Sequence, residues 1–296
     1  MRAAVVREFG GPEAVRIVEA GIPEPGTRQV RIKVAAGALN PVDAGVRAGV
    51  FGGAGKTLGL GWDVAGTVDA VGEPTAWRVG DPVVALVPGL AEPLGAHAEY
   101  VVVDAGAVAA APVSVDAVHA GTLPLNGLTA AQALDLLDVA PGGSLLVTGA
   151  AGAVGGFAVQ LAAHRGIEVV GHARPEDEEL VRSLGAARFT ADGVEPRSVD
   201  AVLDAAVLGA PALEWVRDGG AFVAVRDGVL PAAERGVRTE NVWVRADGAR
   251  LAELVRLVDE GVLTPRVAET FALEEAAKAH ARLAEGGLRG RLVLVP

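Results

Sequence analysis

The ten residues VTGAAGAVGG, at positions 147–156, constrain the fold of this chain more than any other stretch. An apolar run at 144–147 leads into them, and an apolar run with helical spacing follows at 157–163. The pattern predicts a strand that turns directly into a helix at a corner almost without side chains. The first N–H groups of a helix have no partner within the helix, so they bind an anion where no Cβ crowds them.

The corner 149–155 is a variant of the dinucleotide fingerprint, with Ala at its second position. We expect Gly152 to let a pyrophosphate approach the backbone and Gly155 to let the helix pack closely on the strand. The alternative is that the glycines only form a tight corner. Because the segment follows a strand, opens a helix and lies within a β-α-β unit, we favour cofactor binding.

The end of the next strand bears on which nucleotide is bound. A ribose 2′-hydroxyl needs Asp or Glu about 20 residues past the glycines, and no acid ends the strand at 168–171. Arg174 follows that strand instead and offers N–H donors suited to a phosphate. The sequence therefore favours NADPH over NADH. The alternatives are a solvated surface arginine, or repulsion of a 2′-phosphate by the acids at 176–179.

The composition excludes several classes of protein. With 51% hydrophobic and 21% charged residues over 296 positions, the chain is an ordinary globular protein with room for two domains. A net charge of −11 without a basic block argues against nucleic acid or an anionic membrane as a partner. There is no cysteine and the five histidines are scattered, so we expect no metal. Without a signal-peptide core or a spanning apolar run, we expect a cytoplasmic protein.

Two textures divide the chain into domains. Short β segments separated by Gly and Pro predict a barrel-like β domain at 1–118 and 266–296. Strands that alternate with helices predict an α/β domain with a doubly wound parallel sheet at 119–265. The predicted strands are 30–36, 64–71, 83–87, 100–103, 144–148, 168–171, 199–204, 221–225, 241–245 and 291–295. The predicted helices are 41–48, 120–137, 153–165, 176–184, 211–217, 248–259 and 274–283.

Six short segments resemble the motifs of one family, in the order in which that family has them. They are N-P-V-D at 40–43, G-W-D-V-A-G-T-V at 61–68, V-G-D-P-V at 79–83, G-A-H-A-E-Y at 95–100, L-P…G-L-T-A at 123–130 and R-G-R-L-V-L at 289–294. Over essentially its whole length the chain is similar to the medium-chain dehydrogenase/reductase superfamily, in its zinc-free quinone oxidoreductase-like (zeta-crystallin-like) branch.

The resemblance implies a GroES-like β domain joined to a Rossmann domain, with an active site in the cleft between them. It implies hydride transfer from NADPH, without a metal, to a small quinone or an activated alkene such as an enone, and a homodimer that pairs through 241–245. The apolar loop 86–94 favours a small, hydrophobic substrate. The candidate cofactor-binding residues are Gly149, Ala151, Gly152, Ala153, Val154, His172, Ala173, Arg174, Val225, Arg289 and Arg291.

Four residues are candidates for the chemistry. By resemblance Asn40 and Thr129 lie near the nicotinamide and its ribose, and Asp43 tunes the site or relays a proton. His97 has a side chain whose ordinary pKa suits proton transfer. Each has a structural alternative: Asn40 as a turn residue, Thr129 as a helix N-cap, Asp43 as a capping carboxylate and His97 as a buried structural histidine.

One departure from the family pattern concerns the proton donor. R-A-G-V-F at 47–51 resembles R-x-G-x-Y, but Phe51 stands where many relatives have tyrosine. The single tyrosine, Tyr100, lies in a predicted strand, so water is the expected proton source. This supports a second hypothesis, a nucleotide-binding sensor, interaction protein or tailoring enzyme without net redox turnover. The glycine-rich loop 51–60 lacks the first glycine of a P-loop, which disfavours a nucleotide triphosphatase.

Overall fold

The computed structural model describes residues 1–87 and 92–296 and contains two compact units. Unit 1 comprises Met1–Leu125, Arg245–Gly261 and Pro265–Pro296, and unit 2 comprises Asn126–Val244 and Val262–Thr264. Within the described ranges, no helix is both long enough and apolar enough to cross a membrane.

The strands and helices are numbered along the chain. The strands are β1 (Arg2–Val6), β2 (Val15–Glu19), β3 (Gln29–Leu39), β4 (Leu58–Gly59), β5 (Asp63–Val71), β6 (Pro82–Leu86), β7 (Tyr100–Asp104), β8 (Val108–Ala110), β9 (Ser144–Thr148), β10 (Glu168–His172), β11 (Arg188–Thr190), β12 (Val199–Asp204), β13 (Val216–Ala224), β14 (Arg238–Asn241), β15 (Val267–Ala272) and β16 (Arg291–Val295). The α-helices are α1 (Pro41–Arg47), α2 (Ala117–Ala120), α3 (Pro124–Leu137), α4 (Ala153–His164), α5 (Glu178–Ser183), α6 (Ala210–Leu213), α7 (Gly248–Asp259) and α8 (Ala276–Glu285).

Unit 1 is built on two sheets. The smaller has the order β2-β1-β4 and is antiparallel. The larger has the order β15-β16-β3-β5-β6-β8. In addition, β7 pairs with β3 on the side opposite β5. The pairs of this sheet are antiparallel except for β15 and β16, which run parallel. The predicted β domain therefore forms, and β3 is its central strand.

The alternating pattern of β3 explains its burial. Val30, Ile32 and Val34 lie on one face, because successive side chains of a strand point to opposite sides, and they join a core with residues of β5, β6 and β7. Leu39, at the end of the same strand, belongs instead to a second core with Ala279 of α8. One register shift in the pairing with β5, between Val34 and Ala36, lies between the residues of the two cores.

Unit 2 contains a six-stranded sheet in the order β11-β10-β9-β12-β13-β14, and each neighbouring pair is parallel. Numbered from β9, this is the order 3-2-1-4-5-6 of the doubly wound Rossmann fold. The predicted α/β fold class is confirmed. The order reverses between β9 and β12, and ligands of such sheets bind at the carboxyl ends of the strands at that point.

Three elements predicted within 119–265 differ from the structure. The segment 120–137 is not one helix, because α2 ends at Ala120 and α3 begins at Pro124, a residue favoured in the first helical turn. The helix expected at 211–217 is only α6, since Val216 already pairs with Val199 as the first residue of β13. The strand expected at 241–245 lies earlier, as β14, where Arg238–Asn241 pairs with β13.

A tryptophan takes the place of one crossover helix. The described segment 191–198 connects β11 to β12 without a helix. The ring of Trp215 lies against Gly193 in this segment, so closely that a Cβ there would collide with it. Its centroid is 5.4 Å from that of the His172 ring. Trp215 thus covers a part of the sheet where a helix would otherwise be expected.

The division into units differs from the predicted boundaries mainly at residues 119–125 and 245–261, both of which group with unit 1. The sequence assigned 248–259 to the parallel-sheet domain, whereas α7 groups with unit 1. Its first residue packs against the backbone of Gly106 and Val108, and Asp259 accepts hydrogen bonds from the N–H groups of Val113 and Ser114, both at 2.9 Å. Amphipathic periodicity predicts a helix but not which of two sheets its apolar side faces.

Candidate functional site

In unit 2, three glycines shape the corner between β9 and α4, each for a different reason. Gly149 has a φ of +62°, which favours glycine. A Cβ at Gly155 would collide with the carbonyl oxygen of Gly149, so helix and strand pack only without it. Gly152 has an ordinary φ of −73°, and a Cβ there would have only the Gly149 oxygen, at 3.1 Å, as a neighbour within 4 Å. The backbone conformation therefore does not account for glycine at 152, and packing within the protein restricts this position much less than it restricts 155.

The N-terminus of α4 has no side-chain cap. Gly152 is the N-cap, and the first bond within the helix runs from the Gly156 N–H to the Gly152 oxygen at 2.9 Å. By helix geometry the N–H groups of Ala153, Val154 and Gly155 have no partner in α4. Together with the positive end of the helix dipole, they suit a phosphate.

A buried threonine and aspartate support the corner from the neighbouring strand. The Thr148 hydroxyl donates to Asp204 Oδ1 at 2.7 Å and accepts from the Ala206 N–H at 2.9 Å. Asp204 is fully buried and also accepts from the N–H groups of Leu208 and Gly209. The loop after β12 is thereby held against Gly149, since a Cβ there would lie 3.2 Å from the Ala206 nitrogen. Sequence reasoning missed both residues, because only the strand order makes them neighbours.

The end of β10 carries three predicted cofactor residues. The His172 oxygen accepts from the Ala150 N–H at 3.1 Å, which joins this strand end to the corner. The Nδ1 of His172 is buried and has no hydrogen-bond partner in the described chain, and burial lowers the pKa of the ring. The Ala173 N–H donates to the Thr190 oxygen. Arg174 follows, with Nε 3.3 Å from Asp177 Oδ2 and 3.4 Å from Glu176 Oε1.

The remaining cofactor candidates fall into both units. Val225 directly follows β13 in unit 2, at the same carboxyl edge of the sheet. Arg289 and Arg291 belong to unit 1, where the Arg289 guanidinium donates to the Gly287 oxygen at 2.7 Å. Arg291 opens β16, and burial lowers its pKa to about 10, which the charges of Asp63 and Asp43 partly oppose.

Unit 1 holds a buried polar network around Asn40. Its backbone N–H donates to Asp43 Oδ2 at 2.8 Å, and its side-chain Nδ2 donates to Asp63 Oδ2 at 2.6 Å and to the Ala38 oxygen at 3.2 Å. Asp43 Oδ1 accepts from the Gly61 N–H at 2.7 Å. Asp43 thus completes a capping box at the start of α1, the structural role that the sequence left open for it.

Asp63 joins this network to the helix that follows. Its Oδ1 accepts from the N–H of Leu125, the second residue of α3, at 2.5 Å. Burial raises the pKa of Asp63 to about 7, against the opposing effects of these hydrogen bonds and of the Arg291 charge. Burial also raises the pKa of Asp43. The G-x-D motif contained Asp63, but its spacing gave no sign of these partners.

Two buried histidines lie in the same unit. His97 Nε2 is 3.0 Å from the Ala38 oxygen, and His97 Nδ1 has no hydrogen-bond partner in the described chain. His280 Nδ1 lies 3.2 Å from Arg47 Nη1. Burial, followed by the charges of His97 and Arg47, lowers the pKa of His280 to about 3. His280 is therefore neutral and accepts from Arg47 through Nδ1.

Thr129 and the aromatic residues complete the predicted set. Thr129 lies inside α3, which begins at Pro124, so the alternative of a helix N-cap is wrong. Phe51 is 42% exposed, and a Cβ at Gly45 would lie 2.9 Å from its ring. Tyr100 lies in β7, with the Arg31 guanidinium 5.8 Å above its ring. Of the loop 86–94, residues 88–91 lie outside the described residues.

The residues of this chain do not suit a zinc site of the thiolate kind. The sequence has no cysteine, and the described residues contain no group of three or more His, Asp or Glu side chains able to hold a metal ion. Zinc in proteins is bound by sets of such ligands, thiolates above all in structural sites.

A doubly wound sheet with an uncapped glycine corner at its switch point defines a dinucleotide-binding class of fold. Two family profiles match: the alcohol dehydrogenase GroES-like domain over residues 26–113 and the zinc-binding dehydrogenase over residues 177–294. The chain belongs to the medium-chain dehydrogenase/reductase superfamily, as the sequence predicted.

Individual relatives match over most of their length. An NADPH-dependent alkenal/one oxidoreductase of Arabidopsis thaliana is 35% identical, over 100% of this chain and 80% of its own. A quinone oxidoreductase of Pseudomonas aeruginosa is 31% identical, over 97% of each chain. The solved structure of the quinone oxidoreductase from Coxiella burnetii superposes with a TM-score of 0.88 at 28% identity, over 100% of this chain and 99% of its own.

Proposed function

We propose that this protein is a zinc-independent, NADPH-dependent oxidoreductase whose substrate is a small quinone or an activated alkene. The names of the relatives support the reaction class, since they include an alkenal/one reductase and quinone oxidoreductases. The observation that carries the proposal is the corner at Gly152, where a helix N-terminus has no side-chain cap and the N-cap residue has no Cβ, although its backbone conformation does not require glycine.

The corner fits the diphosphate of a dinucleotide. Gly149, Gly152 and the N–H groups of Ala153 and Val154 would hold it, because they form an uncapped helix N-terminus without a crowding Cβ. Arg174 would contact a 2′-phosphate, since no acid ends β10. When bound, the nicotinamide supplies the hydride.

The chain's own residues would orient the reactants and supply polar contacts. Asn40 donates three hydrogen bonds, to Asp43, to Asp63 and to the Ala38 oxygen. Its side chain is therefore held in one position and offers a polar contact, but it cannot act as an acid. Thr129 brings a hydroxyl from α3. With Phe51 in place of a tyrosine, no phenol donates a proton there, and water is the proposed proton source.

The proposal that no zinc takes part rests on the chemistry of the side chains. The resemblance implies that zinc-dependent members of this superfamily carry cysteine ligands, and this sequence has no cysteine. Hydrogen-bond donors would then stabilise negative charge on the substrate oxygen.

The test is a titration with NADPH and NADH of the wild type, Arg174→Ala and Arg182→Ala. Arg182 is a matched control, because its side chain is about as exposed as that of Arg174 and also forms an ion pair, with Glu178 of α5. We expect wild type and Arg182→Ala to bind NADPH more tightly than NADH, and Arg174→Ala to lose about tenfold for NADPH alone. Equal affinity of the wild type for both coenzymes would contradict the NADPH preference.

Turnover needs its own assay, with a panel of small enones, 2-alkenals and quinones. The proposed function predicts oxidation of NADPH that depends on the acceptor. The second candidate, a nucleotide-binding protein without net redox turnover, is favoured by Phe51 alone. Tight NADPH binding without oxidation by any acceptor would support it instead. The homodimer, which the resemblance implies, and the cytoplasmic location, which the sequence pattern led us to expect, are proposals of the same standing.

A further inference from the structure

The guanidinium of Arg174 lies beside two carboxylates that differ in burial. Its Nε donates to Asp177 Oδ2 at 3.3 Å, and Glu176 Oε1 lies 3.4 Å from the same nitrogen. The Asp177 side chain is only 4% exposed, whereas that of Glu176 is 59% exposed and that of Arg174 is 53% exposed. The Asp177 carboxylate is therefore buried in the protein, whereas the Glu176 carboxylate lies at the surface.

The chain direction after β10 creates this arrangement. Pro175 follows Arg174 and begins a short 3-10 turn, Pro175–Asp177, in which the Asp177 N–H donates to the Arg174 oxygen at 2.9 Å. The turn folds both acids back toward the arginine that precedes it. A longer extended segment would separate them.

The charged groups around Arg174 carry a net negative charge, which disfavours the binding of an anion there. One guanidinium faces two carboxylates, and a bound phosphate monoester adds between one and two further negative charges. Asp177 keeps its contact with Arg174, because the Asp177 side chain is buried and cannot turn into solvent. The exposed pair with Glu176 is weak, as surface ion pairs are, and Glu176 is the partner that a phosphate would displace or be repelled by.

Building on the NADPH-dependent function proposed above, we infer that Glu176 competes with the 2′-phosphate of the cofactor for Arg174. Asp177 has the opposite role and holds the guanidinium where the phosphate meets it. Asp177 thus increases the preference for NADPH over NADH, whereas the adjacent Glu176 decreases it. Because of Glu176, the ratio of the two affinities is smaller than Arg174 alone would make it.

The test compares Glu176→Gln, Asp177→Asn and the control Glu179→Gln with the wild type. All three variants remove one negative charge, and Glu179 is an exposed acid of α5. The dissociation constants for NADPH and NADH are measured by fluorescence titration at low ionic strength. Because both coenzymes share every group except the 2′-phosphate, the ratio of the two constants isolates that group.

We expect Glu176→Gln to bind NADPH about three- to fivefold more tightly, with NADH changed less than about twofold. Asp177→Asn should weaken NADPH by about threefold and leave NADH unchanged, while Glu179→Gln stays close to the wild type. The gain in Glu176→Gln should shrink as salt is added, because exposed charges are screened.

Three results would overturn the inference: Glu176→Gln equal to Glu179→Gln, both acids shifting NADPH affinity in the same direction, or Glu176→Gln acting only on NADH. The last would make Glu176 an acceptor for the 2′-hydroxyl. Failure of the proposed function looks different, since the wild type would then bind neither coenzyme, or Arg174→Ala would leave NADPH affinity unchanged.

Discussion

Two helices that begin in unit 1 and one helix of unit 2 differ in how their N-terminal N–H groups are capped. In unit 1, buried carboxylates cap them: Asp43 accepts from the Asn40 N–H at the start of α1, and Asp63 accepts from Leu125 at the start of α3. In unit 2, the N-cap of α4 is Gly152, and no side chain caps this helix. The difference teaches that Asp43 and Asp63 close two helix ends within the protein, whereas Gly152 leaves the end of α4 open to an anion.

The largest effect should come from a methyl group placed at two glycines of the same corner. Gly155→Ala should destabilise the protein by about 3 kcal/mol, because its Cβ meets the backbone oxygen of Gly149 rather than a flexible side chain. Gly152→Ala should cost less than about 1 kcal/mol. Urea unfolding measures both, with Gly21→Ala as a control, since a Cβ at Gly21 meets nothing within 4 Å. Equal losses at 152 and 155 would remove the distinction between a packing glycine and a ligand-facing one.

A smaller effect is expected where a carboxylate closes the helix end. Asp63→Ala leaves the Leu125 N–H and the Asn40 amide without this acceptor, so we expect a loss of about 2 kcal/mol. Asp69→Ala, on the same strand, removes a surface ion pair with Arg31 and should cost less than about 1 kcal/mol. Chemical denaturation of both variants checks the difference. If Asp63→Ala were no worse than Asp69→Ala, the capping role of Asp63 would be wrong.

The smallest effect is a dependence on pH. Because the pKa of Asp63 rises from its ordinary value to about 7 in the folded protein, its protonated form favours folding. This contribution is present at acid pH and is lost as the pH rises through 7. Between pH 6 and pH 8 the wild type should therefore lose about 1 kcal/mol relative to Asp63→Asn.

The comparison with the variant matters, because other groups also titrate. Burial raises the pKa of Asp43 and lowers that of His280, and both residues remain in Asp63→Asn. Urea unfolding of both proteins at the two pH values gives the difference. Parallel stability curves would show that Asp63 does not take up a proton near neutrality.

Local signals in the sequence predicted much of unit 2. The strand β9, the corner and α4 form as expected, because glycines and a change of apolar period mark them within twenty residues. The helix α7 and the strand β16 also lie where predicted. The fold class and the superfamily are confirmed, while the roles of the individual site residues stay predictions.

What the sequence did not reveal depends on distant partners. Asp63 stands 23 positions from Asn40 and 62 from Leu125 along the chain, and Thr148 stands 56 from Asp204. No spacing rule covers such pairs. The same holds for Trp215, whose ring lies against His172, a contact between residues 43 positions apart in the chain. Polar networks and aromatic fillers become visible only when the strand order is known.

The most direct measurement is calorimetric titration of the wild type and Gly152→Ala with NADPH, at matched folded fractions. The account places a diphosphate against the N–H groups that follow Gly152, so a single Cβ there should lower the affinity by at least about tenfold. Unchanged affinity in Gly152→Ala, or no binding heat for the wild type, would contradict it.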